Sequence, residues 1–170
     1  MLFIIRKEIE HINVCKKCKM KILRLHNSKY DTFLSSMTFM MLPEPPNFEL
    51  FEGSQSFWYE ARENNESVVV CFHGFGASPF ETKPIANKVV DYGIDAIGPL
   101  LPGHGIKNKE IAKKEMSKYG VEDWVSCARE TIRNAQQQYE HVYAYGQSMG
   151  GAIALLMASE GRVEACAVTG

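Results

Sequence analysis

The seven residues Tyr145-Gly146-Gln147-Ser148-Met149-Gly150-Gly151 constrain this chain more than any other stretch. They follow a short apolar run that ends at Ala144 and precede a run of small and apolar residues, Ala152 to Ser159. The stretch therefore stands at a strand-to-helix corner and has the form G-x-S-x-G. Glycines two residues either side of a serine leave room for a tight turn that lifts the serine hydroxyl clear of the sheet. Gly151 lets the following helix begin close to the strand. The N-terminus of that helix brings free N–H groups and a positive dipole end to the serine. Small residues cluster by chance in many loops, so the motif alone is weak. The strand before it and the helix after it give it meaning.

The preceding chain supplies the same alternation. Ser67-Val68-Val69-Val70-Cys71-Phe72 is a continuous apolar, β-branched run, which predicts a strand buried on both faces. It ends in His73-Gly74-Phe75-Gly76. Ser78 suits a helix N-cap and Pro79 a first helical position, predicting a helix over Phe80–Tyr92 with Ile85, Ala86, Val89 and Val90 facing inward. Ile94–Gly98 is the next strand, followed by the loop Pro99-Leu100-Leu101-Pro102-Gly103-His104-Gly105. Asn108–Tyr119 is polar and mixes loop with helix. A helix from Val121 to about Tyr139, a strand Val142–Tyr145, a helix Met149–Ser159 and a strand Val163–Thr169 complete the series. Upstream, Pro43-Glu44-Pro45-Pro46 is an extended entry segment. Phe48–Phe51 and Phe57–Ala61 predict a hairpin turning at Gly53-Ser54-Gln55-Ser56. Strand and helix in alternation predict an α/β fold, with a mostly parallel sheet and helices on both faces.

Charge separates the first residues from this unit. Residues 1–38 carry eight Lys/Arg against three acids, while the remainder carries eleven against seventeen. We expect residues 1–40 to be a basic leader outside the domain and residues 41–170 to be the domain. Met40 and Met41 precede it directly, and translation starting there is one expectation. Cys15-Lys16-Lys17-Cys18 is a C-x-x-C pair, but only His11 and His26 stand near it as further zinc ligands, and no strand precedes it as a redox motif requires. Cys71, Cys127 and Cys166 lie in apolar stretches and read as small core residues. The formal net charge of −1 gives no sign of a nucleic-acid partner. No apolar run approaches the ~18 residues of a membrane span, and no secretory leader or lipidation box is present. A reducing cytoplasm is the simplest setting for an odd number of thiols without a framework. No pattern sets the oligomeric state.

Four motifs in order carry a resemblance. They are H-G-F-G after the first parallel strand, P-x-x-P-G-H-G after the second, Asp123-Trp124 at the start of a helix, and G-Q-S-M-G-G at the corner. Together they resemble the α/β-hydrolase superfamily, and within it bacterial carboxylesterases and monoacylglycerol lipases of the serine-aminopeptidase-like group. The likeness covers about Pro43 to Gly170. It implies that Ser148 is the nucleophile and that the backbone N–H groups of Phe75 and Met149 form the oxyanion hole. It implies a small-molecule ester as substrate, and no metal or organic cofactor. His73 and His104 are then loop-shaping residues, not the general base. His141 lies at the entry end of the strand before the serine, away from the site.

A serine nucleophile needs a histidine base and an acid to orient it, in the chain order Ser, acid, His. After Ser148 the chain holds Glu160 and Glu164 and no histidine. Neither glutamate stands on the later strand from which the acid comes. The expectation is an α/β-hydrolase fold cut off after the strand that follows the nucleophile helix, inactive or nearly so as 170 residues. The complete protein would cleave carboxylic esters, of short or medium acyl chains or monoglycerides, through an acyl-enzyme. A thioesterase, lysophospholipase or peptidase on the same scaffold, or a catalytically dead remnant serving as a binding module, are the alternatives.

Overall fold

The structure is a computed structural model that describes residues 20–22, 41–43, 46–62 and 65–170. The expectations for the basic leader and for Cys15 and Cys18 lie outside the described residues, apart from Met20–Ile22. That segment (β1) pairs antiparallel with Met41–Pro43 (β2) in a small sheet of their own. The main sheet has five strands: Phe57–Tyr59 (β3), Ser67–Phe72 (β4), Asp95–Gly98 (β5), His141–Gln147 (β6) and Cys166–Thr169 (β7). Their order is β3-β5-β4-β6-β7, with β3 antiparallel and every other pair parallel. Four helices connect them: Lys83–Asp91 (α1), Lys109–Met116 (α2), Val121–Gln136 (α3) and Met149–Ser159 (α4).

β4 shows why an unbroken apolar run is required here. Val68, Val70 and Phe72 point to one face, where they join residues of α3 and α4. Cys71 and Val69 point to the other, with Ala86, Val89 and Val90 of α1. Both faces are covered, so the run from Val68 to Phe72 is apolar throughout. Burial pushes the Cys71 thiol up to about 12, which keeps it protonated and leaves it a packing residue. Leu42 of β2 belongs to the α3 side of the core. The chain leaves β4 for β5 on one side, then crosses back to place β6 on the other. Loops after β4 and β6 therefore diverge at a topological switch point, where α/β sheets bind their ligands. Among the described residues no helix is long and apolar enough to cross a membrane.

Two expectations need correction. Phe48–Phe51 is not a strand and makes no hairpin with Phe57–Tyr59. The Phe51 and Lys107 N–H groups form a ladder between residues 49–51 and 105–107, at 2.9 Å to Gly105 O and 2.9 Å to Glu49 O. β3 instead takes the open edge of β5. Gly98 makes that edge receptive, because a Cβ there would stand 2.2 Å from the Phe57 ring. The first helix also starts differently. Pro79–Thr82 is a 3₁₀ turn, capped by Ser78, and α1 follows it. Pro84 has no N–H to continue an α-helical ladder back to Phe80. The tighter turn leaves Ile85 exposed, while Ala86 is fully buried.

Candidate active site

β6 ends at Gln147 and α4 begins at Met149, so Ser148 alone makes the corner. Its φ of 51° and ψ of −117° put it in a region that side-chain-bearing residues avoid. It is the one non-glycine residue with positive φ among those described. The glycines around it are a matter of space. A Cβ on Gly146 would stand 2.0 Å from Gly150 O, and one on Gly150 would stand 2.1 Å from Phe72 O. Any larger residue would collide with backbone that cannot swing away. The turn is pinned by Ser148 N–H, which donates to Thr169 O at the end of β7 at 2.8 Å. Ser148 itself is exposed. Met149 supplies the first N–H of α4, which has no carbonyl within the helix to meet.

The loop after β4 lies against this corner. A Cβ on Gly74 would be 3.5 Å from the Ser148 Cβ. Both polar backbone groups of Gly74 are engaged. Its N–H donates to Glu81 Oε1. Its carbonyl accepts from Ala77 N–H at 3.3 Å and from His73 Nδ1 at 2.9 Å. Phe75 is therefore carried on a rigid base, next to the residue that abuts Ser148. Its ring is 62% exposed and stands edge-on to His104 and Trp124, with centroids 5.9 and 5.7 Å away.

The histidines divide as the motifs imply. His73 is fully buried, and its Nε2 accepts from Leu101 N–H at 3.0 Å while Nδ1–H is held by Gly74 O. Neither ring nitrogen is left for a serine. Burial drives its pKa down to about 3, so it stays neutral. His104 donates from Nδ1 to Pro102 O at 3.0 Å, and Trp124 Nε1–H donates to the same carbonyl at 3.0 Å. Burial lowers the His104 pKa as well. These rings brace the loops after β4 and β5 against each other. His141 is at the opposite end of β6, roughly 20 Å from the corner by strand rise. It pairs with Glu164 at 2.9 Å, which raises its pKa. Glu160 ends α4 and is clamped by Arg129 and Arg162, which lower its pKa to about 2. Neither glutamate reaches the serine. Among the described residues no group of His, Cys, Asp and Glu could hold a metal ion.

Two features escaped the reading of the sequence. Glu81 anchors the loop that bears Phe75, yet no spacing in the sequence marks a contact from a 3₁₀ turn back to a loop amide. A cleft of about 700 Å³ also opens beside that loop, lined by residues from four separate segments that include Phe51, Phe75, Phe80 and Met116.

A serine held on a strained corner after a parallel strand, with a glycine loop pressed beside it at a switch point, defines the class as α/β-hydrolase. The chain belongs to the serine aminopeptidase S33 family, whose sequence profile matches residues 63–168. A thermostable monoacylglycerol lipase of Bacillus sp. (strain H-257) is 27% identical over 111 residues, covering 65% of this chain and 41% of the lipase. The chain thus spans about two fifths of that relative's length. Among solved structures, one from work on the metagenome-derived lipolytic enzymes LipS and LipT has a TM-score of 0.62 at 22% identity, covering 71% of this chain and 46% of that one. A highly thermostable carboxyl esterase from Bacillus coagulans, in complex with glycerol, has a TM-score of 0.54 at 20% identity, with 71% and 42% covered. The two structures are alike in fold.

Proposed function

We propose that this chain is the nucleophile-bearing part of a serine hydrolase that cleaves carboxylic esters of short or medium acyl chains, or monoglycerides. The observation that carries the reading is the strained Ser148 at the head of α4, directly against the Gly74–Phe75 loop. Ser148 Oγ attacks the ester carbonyl carbon, and the carbonyl oxygen becomes an oxyanion. The N–H groups of Phe75 and Met149 donate to that oxygen. Collapse expels the alcohol and leaves an acyl-enzyme, which water then hydrolyses. Losing one such donor costs about 10²–10³-fold in rate.

The reaction also needs a base to take the Ser148 proton. His73 has both ring nitrogens bonded within the loops, His104 is buried and held to Pro102 O through Nδ1, and the sequence after Ser148 contains no histidine. The base and its acid come, in this reading, from residues beyond this sequence. Residues 41–170 are then the first part of the hydrolase domain, with residues 1–40 outside it except for β1, which pairs with β2, and the protein working in the cytoplasm on small esters. The test is to treat the native polypeptide with a fluorophosphonate probe and locate the tag by mass. We expect the tag on Ser148, and none after Ser148→Ala. An untagged Ser148 in a folded, native-length protein would refute the assignment.

A further inference from the structure

We infer that Glu81 is a positioning residue for the oxyanion hole: its side-chain oxygen fixes the His73–Gly74 peptide, and so sets the direction in which the next peptide presents the Phe75 N–H to the substrate. The inference rests on the ester-cleaving reading and adds to it a residue that touches neither substrate nor nucleophile.

The loop after β4 has its weak point at Gly74. Glycine has no side chain to restrict its dihedrals, so the peptide planes before and after it turn easily. An oxyanion donor has to be aimed before the charge develops, because a group that must first reorient gives back part of the stabilisation. The two planes at Gly74 are pinned separately. The plane after it carries Gly74 O and Phe75 N–H, which point in opposite directions because the peptide is trans. Gly74 O is held by His73 Nδ1–H at 2.9 Å and by Ala77 N–H at 3.3 Å. The plane before it carries the Gly74 N–H, which donates to Glu81 Oε1. With either plane released, the dihedrals of Gly74 would no longer be determined.

Glu81 is itself fixed. It sits in the 3₁₀ turn Pro79–Thr82, where its N–H donates to Ser78 O at 3.1 Å and the Thr82 hydroxyl donates to Pro79 O at 2.9 Å. A Cβ on Gly74 would stand 3.2 Å from Glu81 Oε1 and 3.5 Å from the Ser148 Cβ, so the carboxyl group and the serine's corner both close on one residue. A glutamate in the first turn of a helix also favours the helix dipole, and that effect needs its charge. The positioning role needs an acceptor oxygen and no charge. Glutamine separates the two, since its amide oxygen accepts from an N–H.

The experiment uses the native-length polypeptide and reads two rates, fluorophosphonate labelling of Ser148 and steady-state hydrolysis of p-nitrophenyl butyrate. In the labelling step Ser148 Oγ bonds to phosphorus, fluoride leaves and the serine proton passes to the base, while the phosphoryl oxygen takes the place of the oxyanion. We expect Glu81→Ala to slow labelling at least about tenfold and to lower kcat by a similar factor, with KM changed less than about threefold. Glu81→Met has similar reach and no oxygen acceptor; it should do the same, and it serves if the alanine variant does not fold. Glu81→Gln should stay within about threefold of the unaltered protein in both rates. Unchanged rates in the alanine and methionine variants, a glutamine variant as slow as alanine, or a loss confined to KM would overturn the role. So would slowing that follows each variant's urea midpoint and not the presence of an acceptor oxygen. If the unaltered protein is not labelled at Ser148, the esterase reading fails and this role goes with it. Labelling that is indifferent to every Glu81 variant sinks the role alone.

Discussion

Ser148 carries the clearest conflict between stability and chemistry in the chain. Its φ of 51° costs energy in any folded state, because its Cβ is forced against backbone. Glycine has no such cost. Ser148→Gly should therefore raise the unfolding free energy by about 1 kcal/mol, measured from urea transitions, while removing the hydroxyl proposed to be the nucleophile. Ser148→Ala retains the Cβ and should not show the gain. A Ser148→Gly variant no more stable than the alanine variant would show that the corner is relaxed. The serine keeps its strained place because that place turns the hydroxyl away from the sheet.

At the scale of elements, the loops after β4 and β5 are joined through one buried imidazole. His73 links Gly74 O to Leu101 N–H, and it does so only while neutral. Its pKa is about 3 in the folded state and about 6.5 when unfolded. As pH falls below about 6.5 the unfolded chain takes up the proton first. Stability present above that pH is therefore lost as pH drops toward 3, with a slope of up to ~1.4 kcal/mol per pH unit. His73→Gln should lower stability at pH 7 and flatten this acid loss, as read from urea midpoints at a series of pH values. An unchanged slope would mean that other groups govern acid unfolding. The motif H-G-F-G was visible in the sequence, but one of its histidine's two partners, Leu101 N–H, lies on a different loop. Glu81 was invisible for a similar reason, because its bond to Gly74 depends on the 3₁₀ turn that Pro84 imposes.

Across the whole molecule, the end of the sheet far from the serine is held by a buried polar network. Tyr139 donates to Asp95 Oδ2 at 2.7 Å, Trp58 Nε1–H donates to the Tyr139 hydroxyl at 2.9 Å, and Asn65 and Ala61 N–H bind Asp95 Oδ1. It ties the edge strand β3, the central strands and the end of α3 into one body. Burial, with the Asp95 carboxylate second, raises the Tyr139 pKa, so the hydroxyl remains a donor. Tyr139→Phe leaves Asp95 Oδ2 and Trp58 Nε1 without those partners and should cost about 2 kcal/mol by thermal or urea unfolding. A change below about 0.5 kcal/mol would mean that water replaces the hydroxyl.

The sequence by itself determined the α/β class, the strand and helix order from Ser67 onward, and the corner at Ser148. Those features are local. They follow from β-branched runs, helix caps and the spacing of the glycines around Ser148. Tertiary structure alone decided the pairing of Phe57–Tyr59 with β5, the 3₁₀ entry to α1, the anchoring of the loop after β4 by Glu81, and the phenyl-lined cleft. Each of these depends on groups distant in sequence meeting in space. Phe57 fills the space over Gly98, and residues 49–51 find their backbone partners at 105–107. Local pattern sets which segments can be strands or helices, but the open edges and close-packed neighbours of the folded sheet choose among the partners they can take.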